Sequence, residues 1–244
     1  MRGSVAVQPR WGVAVNDPAA GESFVSEGNI GSTLYKRDFW SCENLKYSQP
    51  HYRLEKSARI INRLAQGSRR TLLDIGCGPA TLMSVLRPNI QYYGIDIAIH
   101  DPAPNLIEAD FLETPIRFDD KRFDIVVAQG VFEYMGNFQD KKLAEIARIL
   151  NDAGVFIVSY VNFGHRDKNI YFPYSNVRPL DDFRQSVAQL FEIHRFFPTS
   201  HNWNHSEPSR KLVKAGNMYI NINVPIISRI LAVEYFFICS SRAT

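Results

Sequence analysis

The chain has 244 residues, of which 45% are hydrophobic and 22% charged, a composition that places it among ordinary globular chains and is enough for one large α/β domain with decoration. Its formal charge of +3 is mild, with no basic stripe, so it neither demands nor excludes an anionic partner. Cys42, Cys77 and Cys239 are odd in number and far apart, which argues against a disulfide framework, offers no zinc spacing and fits a reducing compartment, here the cytoplasm.

Residues 1–37 are rich in Gly, Ser, Asn and Pro and read as a partly ordered leader, with residues 38–244 as a single domain behind it. From about residue 38 to 66 the pattern turns helical, with Leu54, Ala58, Ile61 and Leu64 near helical spacing and Gly67 as a stop. Residues 71–75 form an unbroken apolar run around Asp74, as expected of a strand buried on both faces of a parallel sheet. Gly76 and Gly78 then supply a tight turn that lets a ligand approach the backbone, and Pro79 suits the first turn of a helix over residues 79–86. A dinucleotide fingerprint needs a third glycine at position 81, where Thr81 stands. Asp74 also repels a pyrophosphate and favours a ligand carrying positive charge.

Leu73-Asp74-Ile75-Gly76-Cys77-Gly78-Pro79-Ala80 resembles motif I of the class I S-adenosylmethionine-dependent methyltransferases, with Ala80 in place of the motif's last glycine. The resemblance implies a Rossmann-like α/β fold. Its doubly wound sheet has about seven strands, mostly parallel, with an antiparallel last strand and helices on both faces. It also implies S-adenosylmethionine as cofactor, held at Asp74, Gly76, Cys77 and Gly78. Tyr47, in an aromatic stretch ahead of the first long helix, falls where this family often lays a lid over the cofactor; plain packing at the helix start is the other reading.

Further along, residues 91–95 read as the second strand, ending at Asp96 and Ile97 about twenty residues past the glycine loop, the distance at which a strand-end carboxylate meets a ribose. The stretch from Ile97 to Pro104 is too short and Pro-rich for the usual crossover helix. Residues 106–109 read as the third strand, before Asp110 and Phe111, which the resemblance sets at the adenine amino group and ring. Residues 122–128 are the fourth strand, followed by Gln129 and Gly130, which the resemblance places beside the sulfonium. Glu133 and Tyr134 follow, either near the methyl acceptor or as part of the next helix.

A helix over 141–150, a fifth strand over 155–160, a helix over 180–190, a sixth strand over 191–197 and a last strand over 232–240 complete the pattern. His165, just past the fifth strand, is the best-placed titratable group for taking an acceptor proton, unless it is simply a solvated loop histidine. Tyr134 is the other catalytic candidate, and no metal site is expected. The long connection at about 198–231, with its aromatic and basic residues, suits a cover over the acceptor.

The most apolar late stretch, 224–239, is broken by Arg229 and Glu234, so no membrane span is expected, while Ile220, Ile222, Val224, Ile226 and Ile227 of the long connection suit peripheral contact or an amphiphilic acceptor. These features together point to methyl transfer onto an oxygen or nitrogen of a small molecule, natural product or glycan. No nucleic-acid partner is expected, because a basic stripe and an Asn-Pro-Pro-Tyr-type tetrapeptide after the fourth strand are both missing. The alternatives are an RNA- or protein-directed methyltransferase and a non-catalytic cofactor-binding module.

Overall fold

Consecutive apolar residues on a strand point to opposite faces, so a run such as Leu72-Leu73 persists only where both faces are covered. Leu72 packs with Ala58, Ile61 and Ala65 in one buried layer. Leu73 packs with Leu143, Ile146, Phe183 and Val187 in the other. The computed structural model describes residues 41, 44–50, 52–112, 114–116, 118, 122–162, 178–201, 222–223, 226, 228 and 232–242. The leader, His165 and most of the connection at 198–231 therefore lie outside the described residues.

Seven strands form one sheet: β1 (Arg70–Ile75), β2 (Ile90–Asp96), β3 (Leu106–Glu108), β4 (Phe123–Ala128), β5 (Leu150–Val161), β6 (Phe191–His201) and β7 (Ala232–Ser241). Their order is β3-β2-β1-β4-β5-β7-β6. The pairs among β1 to β5 are parallel, while β7 runs antiparallel to both β5 and β6. Helix α1 (Tyr52–Leu64) covers one face, and α2 (Gln139–Ile149) and α3 (Leu180–Leu190) cover the other. Strand order reverses between β1 and β4, the switch point at which open α/β sheets bind ligands. Ile75 pairs with Ala128 there, so the chain leaves both strands side by side at Gly76 and Gln129.

Four expectations need correction. Residues 79–86 do not form an α-helix; they hold a 3-10 turn, Thr81–Val85, entered through Ala80 in the left-handed conformation. The helical stretch from residue 38 is divided among the described residues into a 3-10 turn, Asn44–Tyr47, and α1. β5 starts at Leu150, directly at the end of α2, because its first residues already pair with Phe123 of β4. β6 continues to His201 on β7, so the connection between the last two strands begins four residues later than the apolar run suggests. The segment between β2 and β3 contains no helix, in keeping with its length and prolines.

Candidate active site

The turn after β1 is built by backbone bonds to β2. Gly76 and Cys77 donate to Ile95 O at 2.8 and 3.2 Å. Gly78 N donates to Asp96 Oδ2 at 2.7 Å, and Ala98 N donates to Asp96 Oδ1 at 3.1 Å. Asp96 therefore sits at the strand end as a buried carboxylate that fixes the loop. Gly76 has φ 73°, and a side chain there would drive a Cβ to 2.4 Å from Val131 Cγ2. The glycine is required on both counts, and the near-contact joins the loop to the turn after β4.

Asp74 lies buried beneath the loop, accepting from Tyr92 Oη at 2.7 Å. Burial pushes its carboxyl up to about 7, against the Tyr92 hydrogen bond, with the Asp96 charge adding to the rise. The Cys77 thiol is raised far above its ordinary value by burial and by both carboxylates, so it serves as a small apolar group and not as a nucleophile. Tyr47, half-buried, caps the far side of the loop, its carbonyl accepting from Thr81 Oγ1 at 2.7 Å.

Past β3, Asp110 is half-buried; its Oδ1 accepts from Leu112 N at 2.8 Å, and Oδ2 has no partner among the described residues. Past β4, Gly130 has φ 71° and donates to Ser159 Oγ at 2.9 Å. Gln129 accepts from Ser57 Oγ at 2.7 Å through Oε1, while its buried Nε2 lacks a partner among the described residues. Carboxylates, left-handed glycines and an unpartnered amide are thus gathered along one sheet edge.

The model of the methyltransferase domain family matches residues 50–205, more than half of the chain. The chain belongs to the S-adenosylmethionine-dependent methyltransferases. No curated protein sequence matches it. Among solved structures, it is similar to a methyltransferase of Haloferax volcanii in complex with the Trm112 activator, at 15% identity and TM-score 0.60, covering 87% of this chain and 99% of that one. A methyltransferase of Archaeoglobus fulgidus is similar at 18% identity and TM-score 0.53, covering 77% and 93% of the two chains. The N-methyltransferase NodS of Bradyrhizobium japonicum, solved with S-adenosyl-L-homocysteine, is similar at 12% identity and TM-score 0.51, covering 80% and 89%.

The methyltransferase's own residues fit S-adenosylmethionine. The cradle at Gly76 has no room for a Cβ, half-buried Asp110 spends Oδ1 on the Leu112 N–H, and the buried Gln129 Nε2 has no acceptor among the described residues. Ile97 is half-buried next to Asp96. Phe111 faces inward, 8% exposed, with Lys142 Nζ 4.8 Å from its ring centroid, so most of its surface is spent on the core. Tyr134 is half-buried in the 3-10 turn Phe132–Tyr134.

Sequence reasoning missed Arg53 and Glu234. Arg53 of α1 pairs with the buried Glu234 of β7, and both adjoin Glu133, whose carboxyl burial pushes up to about 8. The available signal was a lone acid inside the apolar run Ala232-Val233-Glu234-Tyr235-Phe236-Phe237. A carboxylate in a buried strand has to be paired or hydrogen-bonded.

Proposed function

We propose that this methyltransferase moves a methyl group to an oxygen or nitrogen of a small molecule, natural product or glycan. The observation that carries the reading is the chemistry of the groups at the reacting edge: Asp74, Asp96, Glu133 and Glu234 are all buried carboxyl groups, with Arg53 paired to Glu234. Ionised or protonated, a carboxyl group offers a phosphate backbone no cation where nucleic-acid binding needs Lys and Arg. Free, buried Cys77 and Cys239 support a reducing compartment such as the cytoplasm. Among the described residues, no helix is long and apolar enough to cross a membrane.

Bound S-adenosylmethionine supplies an electrophilic methyl group on a sulfonium. In this reading Gly76, Cys77 and Gly78 give it close backbone approach, Asp96 and Ile97 hold the ribose, and Asp110 holds the adenine with only the small exposed edge of Phe111 beside it. Asp74, Gln129 and Gly130 serve the methionine end, and Tyr47 covers the site. The chain's chief contribution to rate is alignment of acceptor and methyl in a site closed to water. Tyr134 and His165 are the proposed groups for an acceptor proton.

Titration calorimetry with S-adenosylhomocysteine tests the cofactor assignment. Asp96→Ala is expected to weaken binding by roughly ten- to a hundredfold, the loss of about 1.5–3 kcal/mol of charged hydrogen bonds. Unaltered affinity removes Asp96 from the site. Mass spectrometry of acceptors incubated with cofactor and protein tests the reaction itself, since each true acceptor gains one methyl.

A further inference from the structure

Behind the turn after β4 lies a buried polar cluster that methyl transfer, as described so far, leaves unused. Glu133 is 2% exposed and Glu234 3%. Arg53 binds Glu234 through its Oε1. Glu133 Oε2 and Glu234 Oε2 are both buried without a hydrogen-bond partner among the described residues. The cluster reaches Gly130, where a Cβ would stand 3.4 Å from Arg53 Nη2 and 3.8 Å from Glu133 Oε1. Val131, the next residue, lies against Gly76 of the cofactor loop. Arg53 and the Glu133 carboxyl therefore meet at Gly130, one residue before the Val131 that lies against the glycine cradle.

We propose that Glu133 and Glu234, with Arg53 alongside, form a pocket for a protonated amine carried by the methyl acceptor. This rests on the reading above that the acceptor is a small molecule. The Glu234 carboxylate only accepts, and so does Glu133 once ionised, so their unpartnered oxygens call for donors. A hydroxyl brings one donor and no charge; an ammonium brings up to three and the missing charge.

Arg53 acts on the Glu133 charge while paired with Glu234, so this one cation is shared between two buried carboxyl groups. From α1, Arg53 is engaged by Glu234, Ser57 turns to Gln129, and Lys56 donates to Pro198 O at 3.3 Å and lies 5.3 Å from the Phe197 ring centroid. From β6, Arg195 lies over the Phe197 ring, 4.9 Å from its centroid. From β5, Ser159 accepts from Gly130 N. Burial, with the Glu234 charge and against Arg53, pushes the Glu133 carboxyl up to about 8; an arriving ammonium would ionise it, the carboxyl proton leaving to solvent, and complete the pair.

The test uses the full chain with S-adenosylmethionine and two probe sets: small amino alcohols and diamines, which keep a hydroxyl or second nitrogen to accept the methyl while the ammonium is bound, and alcohols of the same carbon skeletons lacking nitrogen. The expected result is methyl gain, read by mass, in amine-bearing compounds. Glu133→Gln and Glu234→Gln should each raise KM for such an acceptor by about 10–100-fold, the loss of one charged hydrogen-bonding contact. Their affinity for S-adenosylhomocysteine should stay within about twofold, which also reports folding.

Methyl gain in the alcohols alone overturns the amine pocket and leaves small-molecule transfer standing. Methyl gain in neither set, by protein that binds S-adenosylhomocysteine, overturns the small-molecule reading together with the pocket. A folded Glu133→Gln with normal KM overturns it as well. So does a Glu133→Gln that loses S-adenosylhomocysteine affinity, which would give the pocket to the cofactor's own amino group.

Discussion

Ala80 shows how a single methyl group can be judged on the wrong ground. It replaces the last glycine of the loop motif, and from sequence its effect is one of packing, at most about 1–3 kcal/mol. In the structure its backbone sits at φ 53°, ψ 29°, accepting from Met83 N at 3.0 Å as the 3-10 turn begins. The left-handed conformation costs an L-residue about 1–2 kcal/mol, partly offset in a glycine by about 0.5–1 kcal/mol of chain entropy. Ala80→Gly should stabilise the protein by up to about 1 kcal/mol, a rise in Tm of roughly 2–4 °C by calorimetry. A fall in Tm would mean that the buried methyl, packed in the α1 layer, outweighs the strain. The motif residues Asp74, Gly76, Gly78, Asp96 and Asp110 are legible in the sequence because each lies at or just past the end of an apolar strand run. Arg53 and Glu234 are not, because they are 181 positions apart and meet only when β7 inserts beside β5.

Strands are read well from apolar runs, and α1, α2 and α3 from helical spacing. The segment after the glycine loop misleads because Thr81-Leu82-Met83-Ser84-Val85 carries helical spacing, yet the chain must reach β2 at Ile90 past Pro88. One turn is all that the distance allows, and α1 fills the layer that a longer helix would occupy. A second element does unexpected work: α2 fixes the loop that bears Asp110. Lys142 Nζ, buried in α2, donates to Thr114 O at 2.9 Å and to Glu145 Oε2 at 3.1 Å, and covers the Phe111 ring. Glu145 Oε2 in turn accepts from Ile116 N at 3.1 Å. Lys142→Met keeps the apolar stem and strands the Thr114 carbonyl and the Glu145 carboxylate. Stability should fall by about 3–5 kcal/mol, the usual effect of breaking a buried pair, measured by urea unfolding. If Asp110 holds the adenine, the variant should also bind S-adenosylhomocysteine more weakly in calorimetry.

Over the whole molecule, the carboxyl groups buried at the sheet edge set how stability varies with pH. Asp74 and Glu133 are raised in the folded state to about 7 and about 8, chiefly by burial, from 3.8 and 4.5. Between those limits the folded protein holds protons that the unfolded chain has released, so unfolding becomes easier as pH rises. Each group contributes a slope of up to about 1.4 kcal/mol per pH unit. Asp124 and Asp140 act in the opposite sense, being held below the ordinary carboxylate range, Asp124 by Thr71 and Asn151 against its own burial and Asp140 by Arg178. Their contribution is complete above about pH 4 and is lost only on further acidification. Lys56, lowered to about 8 by burial, adds stability only above that pH. The Tm of the cofactor-free protein should therefore fall between pH 5 and pH 8, and Glu133→Gln should flatten the fall by removing one of the two protons. At pH 5, where Glu133 is neutral in the folded protein, the variant should differ little from the parent. At pH 8 it should melt higher by several degrees, at roughly 2–4 °C per kcal/mol. Parallel pH profiles for the two proteins would mean that Glu133 is ionised in the fold, with Arg53 or water supplying its missing donor.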